Sequence, residues 1–234
     1  EDTSGSGHGT AVAGIIGAPI NGDGIAGVAP DARIMVLRAC SFLFCSDGAA
    51  IEALYYAANN GAHVANLSFG RASGGDTAFR IAVEDAIADG VVVVAAAGNG
   101  GMDGIGDDND DEPIIPASFG IDGLLWVAMT DQADDLSGSS NFGATSVHLG
   151  APGVSIWTLD LEGGYGFWSG TSFAAPTTAG VAALLRQHRN CWSAETIASV
   201  VQTSGDPTAS LAGKTISGKR LNAFEALAVD AKKN

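Results

Sequence analysis

The sequence is poor in basic residues and in long apolar runs, and each shortage excludes a class of protein. Its 234 residues contain 11 Lys and Arg against 26 Asp and Glu, a formal net charge of −15. This excess of negative charge argues against nucleic acid or an anionic membrane surface as a partner. A membrane-spanning helix needs roughly 20 apolar residues. The most apolar stretches, 90–98 and 171–185, are too short or contain threonine and proline, so we expect no membrane span.

Cysteine is also scarce, and the three that are present leave two alternatives open. Cys40 and Cys45 are near enough in sequence to close a small loop, which would leave Cys191 unpaired. Their spacing matches no zinc-binding pattern, and three inert thiols are the plainer alternative. The chain begins at Glu1 and not at Met, so we expect the natural N-terminus to lie upstream.

The abundant residues are apolar side chains, at 46%, and glycine, at 33 positions. This composition is typical of a compact α/β enzyme, and the length suits one domain over residues 1–234. Amphipathic helices are predicted at 47–60 and 76–89, each followed by a strand, at 63–68 and 91–97. Continuous apolar runs such as 91–97, and also 32–39, indicate strands buried in a parallel sheet. In such sheets functional sites lie beyond the carboxyl ends of the strands.

One stretch predicts a buried helix with an unusual start. From Thr171 to Leu185 there is no charged side chain, which is typical of a helix buried on nearly all faces. Thr171 is a candidate N-cap, which would place Ser172 in a first turn that favours negative charge. Pro176 cannot donate a hydrogen bond to the carbonyl of Ser172, four residues back. A local rule broken beside one serine suggests a functional site, but on these grounds alone a serine in an ordinary helix start is the better explanation.

Four motifs together resemble those of a known family. His8-Gly9-Thr10, Ser68-Phe69-Gly70, Gly98-Asn99 and Gly170-Thr171-Ser172 occur in this order and at family-like spacing, and they are similar to the motifs of subtilases, the subtilisin-like serine peptidases. The resemblance runs from about Asp2 to about Ala228. It implies a three-layer α/β/α subtilisin-like fold with a mostly parallel sheet, of which the first strand or strands are missing here.

The resemblance also assigns roles to individual residues. It implies that Ser172 is the nucleophile and His8 the base that takes its proton, because a serine hydroxyl needs a neighbouring imidazole to react. It implies that the Asn99 amide and the Ser172 backbone N–H donate to the oxyanion of the tetrahedral intermediate. A rival interpretation as an α/β-hydrolase esterase would require a Gly-x-Ser-x-Gly motif with the histidine after the serine, and neither is present around Ser172.

The same resemblance implies two walls of a substrate pocket. The first comprises Ser68, Phe69 and Gly70, and the second Ala96, Ala97 and Gly98. Small residues in the second wall leave room for a large apolar side chain, so we expect broad cleavage after bulky apolar residues. The acidic loop 102–112 has three interpretations: a solvated loop, a calcium site, or a rim that tolerates Lys or Arg.

The catalytic aspartate is not in a recognisable motif. Subtilases carry it on a strand well upstream of the histidine motif, and only seven residues precede His8. Asp2 is the nearest carboxylate in sequence, but in the family this position belongs to the loop before the histidine. We therefore expect the aspartate upstream, residues 1–234 to be an N-terminally incomplete peptidase domain, and the chain as given to be weak or inactive. The alternative is a catalytically inactive, peptide-binding relative.

Further expectations follow from the family. The chemistry needs no cofactor, and a structural calcium ion at the Asn21 loop is weighed against a plain glycine turn. The expected partners are polypeptide substrates and an N-terminal propeptide. We expect a monomer that is secreted or held in the cell envelope.

Overall fold

A six-stranded sheet forms the centre of the fold. The computed structural model describes residues 6–41, 44–72, 74 and 76–229. Its helices are α1 (His8–Gly17), α2 (Asp47–Asn59), α3 (Thr77–Ala88), α4 (Thr171–His188), α5 (Ala194–Thr203) and α6 (Ala223–Ala228). Its strands are β1 (Cys40–Ser41), β2 (Phe44–Cys45), β3 (Val64–Leu67), β4 (Arg71–Ala72), β5 (Val92–Ala96), β6 (Ile114–Ile115), β7 (Leu124–Thr130), β8 (Leu149–Pro152), β9 (Ile156–Leu159), β10 (Tyr165–Trp168), β11 (Asp206–Pro207) and β12 (Lys219–Arg220).

The central sheet is parallel except at one edge. Its order is β11-β12-β8-β7-β5-β3, and only β11 and β12 run antiparallel. Every residue of β5 and of β7 is buried, as expected for central strands covered on both faces. Helices α3, α4 and α5 each contact β5, while α2 packs on α3 and α1 on α4. The predicted three-layer α/β/α fold with a mostly parallel sheet is confirmed.

Helix α4 is the most buried helix of the fold. It contacts β3, β5, β7 and β8, and most of its residues from Thr171 to Leu185 are buried. Helix α4 packs closely against the segment at Val28 because residue 180 is glycine. An added Cβ at Gly180 would lie 2.5 Å from the Cβ of Val28. The predicted buried helix is confirmed. The predicted N-cap is wrong by one residue, because Gly170 holds that position and Thr171 is the first helical residue.

The strand predicted at 32–39 is also wrong. These residues form no strand, and Ile34, Met35 and Val36 are exposed, Val36 to 72%. A strand exists only where a neighbour accepts and donates its backbone hydrogen bonds. Within the described ranges β3 is paired on one side only, with β5. In the part of the chain that is described, the apolar segment 32–39 and the outer edge of β3 therefore both lack a strand partner.

Cys40 and Cys45 form a disulfide that joins β1 to β2, while Cys191 is free and exposed. Of the two alternatives left open by the cysteine spacing, the closed loop is the one observed. No helix in the described ranges is long and apolar enough to cross a membrane.

Candidate catalytic site

Ser172 lies in the first turn of α4 and is held to the end of β3. Its Oγ donates to the Ser68 carbonyl at 3.2 Å, and the Ser68 Oγ donates to the Ser172 carbonyl at 2.7 Å. The second hydrogen bond explains the proline in this helix. Pro176 has no N–H for the Ser172 carbonyl, and the Ser68 hydroxyl supplies the missing donor. The donor that Pro176 lacks is thus supplied by Ser68, which is 104 positions from Ser172 in the sequence.

His8 is the first residue of α1 and lies on the same side of the molecule as Ser172. The helix begins there because Gly7 adopts a left-handed conformation, φ 73°, and its carbonyl accepts from the N–H of Ala11 at 2.9 Å. The ring centroid of His8 lies 5.5 Å from that of Phe173, the residue after Ser172. The structure therefore brings the predicted base against the residue that follows the predicted nucleophile.

Helix α1 is positioned by the β9–β10 hairpin as well as by α4. The Thr158 hydroxyl donates to the carbonyl of Ala11 at 3.0 Å. An added Cβ at Gly14 would lie 2.8 Å from the Thr158 Oγ1, so a larger residue there would push the helix and the hairpin apart. Because α1 also packs on α4, both neighbours constrain the position of the His8 backbone.

Asn99 follows the carboxyl end of β5 and is oriented by Thr171. Its Oδ1 accepts from the Thr171 N–H at 2.7 Å and from the Thr171 hydroxyl at 3.0 Å. The Thr171 Oγ1 accepts in turn from the Gly98 N–H at 3.1 Å. These two hydrogen bonds engage the Asn99 Oδ1 and fix the orientation of the side-chain amide. Thr171 was expected to cap the helix, but its hydroxyl instead joins the first turn of α4 to the loop that follows β5.

The two predicted substrate walls follow neighbouring parallel strands. Ser68, Phe69 and Gly70 come directly after β3, and Ala96, Ala97 and Gly98 end β5 and follow it. Gly98 has φ 110°, and a Cβ there would lie 2.7 Å from the Asn141 Nδ2. The Phe69 ring stacks on Phe79 with centroids 6.4 Å apart.

Sequence reasoning missed one residue beside these walls. Ile114 in β6 faces Gly70, where an added Cβ would lie 3.0 Å from the Ile114 Cγ2. The two residues meet because β4 and β6 pair, with Ala72 opposite Ile114. This non-local pairing cannot be read from local patterns in the sequence. Ile114 adds an apolar surface next to the first wall.

The acidic loop and the Asn21 loop form turns. The Asp103 and Asp108 side chains each accept a backbone N–H two residues on, and the Asn21 Oδ1 accepts from the Asp23 N–H at 3.0 Å. Among the described residues no group of three or more His, Cys, Asp or Glu side chains could hold a metal ion. Asp2 lies outside the described residues.

His148 directly precedes β8, at the end of the sheet opposite to the carboxyl ends of the parallel strands. Its Nδ1 accepts from the Trp126 N–H at 3.1 Å. Burial lowers the pKa of this imidazole to about 4, because the charged form is disfavoured away from water, and the charge of Asp122 raises it only in part.

Comparisons with known proteins agree with this geometry. The sequence pattern of the Subtilase family matches residues 1–221. The chain is 38% identical over 192 residues to alkaline elastase YaB of Bacillus sp. (strain YaB), covering 82% of this chain and 48% of that protein. It is 38% identical over 190 residues to subtilisin Savinase of Lederbergia lenta, covering 81% and 66%. The chain thus spans about half to two thirds of the length of the curated relatives it matches.

Solved structures are similar over nearly the whole chain. A cold-adapted subtilisin-like serine proteinase superimposes with a TM-score of 0.79 at 31% identity, covering 93% of this chain and 75% of its own. The prenylagaramide maturation protease PagA gives a TM-score of 0.79 at 28% identity, covering 95% and 82%.

Proposed function

The chain belongs to the subtilase family, and from that premise we propose that it is a serine endopeptidase with Ser172 as nucleophile and His8 as general base. One observation carries the proposal. The first turn of α4 is hydrogen-bonded to the ends of two parallel strands, through Ser68 and through Asn99. Ser172, Asn99 and the segments after β3 and β5 thus lie together at the carboxyl ends of these strands, and His8 contacts the next residue, Phe173, which supports the proposed roles.

The proposed mechanism follows from these positions. The Ser172 Oγ attacks the scissile carbonyl carbon while its proton passes to His8. The Asn99 Nδ2 and the Ser172 N–H donate to the oxyanion that forms. The C–N bond then breaks as His8 returns the proton to the leaving amine. Water, activated by the same imidazole, hydrolyses the acyl-enzyme and regenerates the Ser172 hydroxyl. No step requires a cofactor.

We also propose that the catalytic aspartate is supplied by a segment upstream of His8. Two observations support an upstream segment. Among the described residues the outer edge of β3 has no strand partner, and the apolar side chains of Ile34, Met35 and Val36 are exposed. A strand added at this edge would bury the apolar side chains and pair the β3 backbone. Residues 1–234 are then one N-terminally incomplete peptidase domain, with little or no activity by themselves. A catalytically inactive, peptide-binding subtilase-like protein is the alternative.

Calcium enters the proposal only as a structural ion. Asn21 is exposed, and its Oδ1 already accepts a backbone hydrogen bond, while calcium takes six to eight oxygen ligands. The described residues therefore supply only part of a calcium site at the Asn21 loop, and further ligands would have to come from upstream of Glu1.

The proposed partners and location follow from the reaction class. The substrates are polypeptides, and an N-terminal propeptide is proposed as a folding partner of the complete protein. The Cys40–Cys45 disulfide supports secretion or residence in the cell envelope, because disulfides persist in oxidising compartments. We propose that the protein is a monomer.

Hydrolysis of a peptide substrate tests the proposal. The 234-residue chain and a version extended upstream are assayed together, each with Ser172→Ala and with Ser199→Ala, an exposed serine on α5, as the matched control. We expect turnover by the extended protein, its loss in Ser172→Ala, and no change in Ser199→Ala. Without the aspartate the short chain is expected to be slower by about 10⁴-fold, the cost of losing this carboxylate in serine proteases. An extended protein without turnover favours the inactive alternative, and equal rates place the carboxylate within the 234 residues.

A further inference from the structure

Two buried asparagines, Asn109 and Asn141, are hydrogen-bonded to the chain around Asn99. Each is 1% exposed, and the Asn141 Nδ2 donates to the Asn109 Oδ1 at 2.9 Å. Asn109 belongs to the acidic loop after β5, and Asn141 to the loop after β7, the neighbouring strand of the sheet. A buried amide is costly unless its polar atoms are hydrogen-bonded. The partners of this asparagine pair therefore show what the two side chains hold in place.

Asn141 binds the chain on both sides of Asn99. Its backbone N–H donates to the Gly98 carbonyl at 3.0 Å, and its Oδ1 accepts from the Gly100 N–H at 2.6 Å. One residue thus contacts both the residue before the proposed oxyanion donor and the residue after it. Only the second hydrogen bond uses the side chain, so a substitution of Asn141 can release Gly100 while the bond to Gly98 remains.

Asn109 extends the same support. Its Nδ2 donates to the Ala97 carbonyl at 2.8 Å, and its backbone N–H donates to the Phe142 carbonyl at 2.7 Å. The Asn141 Oδ1 also accepts from the Asp107 N–H at 3.1 Å. These hydrogen bonds fix the two loops to each other and to the segment that follows β5.

The backbone around Asn99 depends on support of this kind. Gly98 and Gly100 have φ of 110° and 66°, a region that glycine enters readily but in which it is not confined. Local conformational preference therefore does not keep Asn99 in place. An oxyanion donor acts when it lies about 2.7–3.1 Å from the oxyanion, and a misplacement of about 1 Å can cost about 10²-fold in rate. Hydrogen bonds that fix this backbone therefore affect the rate of the proposed reaction.

We infer that Asn141 is a positioning residue, which holds the Asn99 amide where the oxyanion forms by binding the Gly100 N–H. The inference rests on the proposed peptidase function and adds to it a buried residue that acts through another. Its contribution exists only while Asn99 is present. Because the oxyanion forms in the transition state, the contribution belongs to kcat and not to KM.

A double-mutant cycle in the extended protein tests the inference. The kcat and KM on a peptide substrate are measured for the unsubstituted protein, Asn141→Ala, Asn99→Ala and the double variant, and urea denaturation shows whether each is folded. Asn141→Asp keeps an oxygen for the Gly100 N–H and is the conservative variant. The matched control is Asn222→Ala, because Asn222 is an asparagine at the N-cap of α6 whose Oδ1 accepts from the Glu225 N–H at 3.0 Å.

We expect Asn99→Ala to lower kcat by about 10²- to 10³-fold, the cost of losing one oxyanion donor in a subtilisin. Asn141→Ala should lower kcat by about 10- to 100-fold, with KM changed by less than about twofold. Added to Asn99→Ala, it should lower kcat by less than about twofold further. Asn141→Asp should retain more activity than Asn141→Ala, and Asn222→Ala should leave kcat unchanged. If Asn141→Ala does not fold, the cycle is run with Asn141→Asp, for which we expect a smaller loss with the same dependence on Asn99.

An equal loss from Asn141→Ala with and without Asn99 would overturn the inference, because Asn141 would then act by another route. An unchanged kcat, a change confined to KM, or an equal loss in Asn222→Ala would also overturn it. Failure of the proposed function gives a different result, since the unsubstituted extended protein would then show no turnover, and the inference would fall with it.

Discussion

The hydrogen bond between the Ser68 hydroxyl and the Ser172 carbonyl predicts a measurable coupling between Ser68 and Pro176. Ser68→Ala removes the donor and leaves a partly buried carbonyl that Pro176 cannot satisfy. Removing one partner from a buried hydrogen bond costs about 1–3 kcal/mol, and the partial exposure of this pair places the expected loss near 1–2 kcal/mol. Pro176→Ala supplies an N–H to the same carbonyl. In that background Ser68→Ala should cost about 1 kcal/mol less.

Urea denaturation of the four proteins in this double-mutant cycle measures the coupling. Ser68→Ala also removes the acceptor of the Asn66 Nδ2, 2.8 Å away, but this loss is the same in both backgrounds and cancels in the cycle. The hydrogen bond from the Ser172 Oγ to the Ser68 backbone carbonyl does not depend on the side chain. Additive effects, within about 0.3 kcal/mol, would refute the idea that Ser68 replaces the donor that Pro176 lacks.

Three further predictions concern acid stability, packing and specificity. His148 has a folded pKa of about 4 against an ordinary 6.5, so the unfolded chain binds its proton first as pH falls, and the unfolding free energy should drop by about 3 kcal/mol between pH 6.5 and 4. His148→Asn keeps an acceptor for the Trp126 N–H, and in urea titrations at several pH values it should reduce the dependence of the unfolding free energy on pH. An unchanged pH dependence would contradict this prediction. Gly180→Ala should cost about 1–3 kcal/mol because its Cβ meets Val28, whereas Gly138→Ala, with open space around it, should change stability little. A peptide-library profile of the extended protein should show cleavage after bulky apolar residues. A profile confined to Lys and Arg would contradict this and would indicate that the acidic loop 102–112 sets the specificity.

Features that depend on neighbouring residues in sequence were predictable. The uncharged run from Thr171 to Leu185 predicts a buried helix, and the β-branched run of residues 91–97 predicts a central strand, because burial on all sides leaves no place for charge. The order and spacing of the four motifs indicated the family, and the resemblance assigned the expected roles of His8, Asn99 and Ser172.

Features that depend on pairing between distant segments were not predictable. The apolar pattern of residues 32–39 suits a strand, but a strand also needs a partner, and none lies beside it in the described ranges. The proline inside the helix at Pro176 was visible in the sequence. Only the fold shows that the Ser68 hydroxyl donates to the Ser172 carbonyl that Pro176 leaves without a donor. The position of Ile114 likewise depends on a strand register that local composition does not specify.

The central claim is that Ser172 is an activated nucleophile, and mass spectrometry of the extended protein after treatment with a fluorophosphonate tests it most directly. We predict one adduct, on the peptide that contains Ser172, and its loss in Ser172→Ala while Ser199→Ala still reacts. An adduct on another serine, together with full peptidase activity of Ser172→Ala, would contradict the claim.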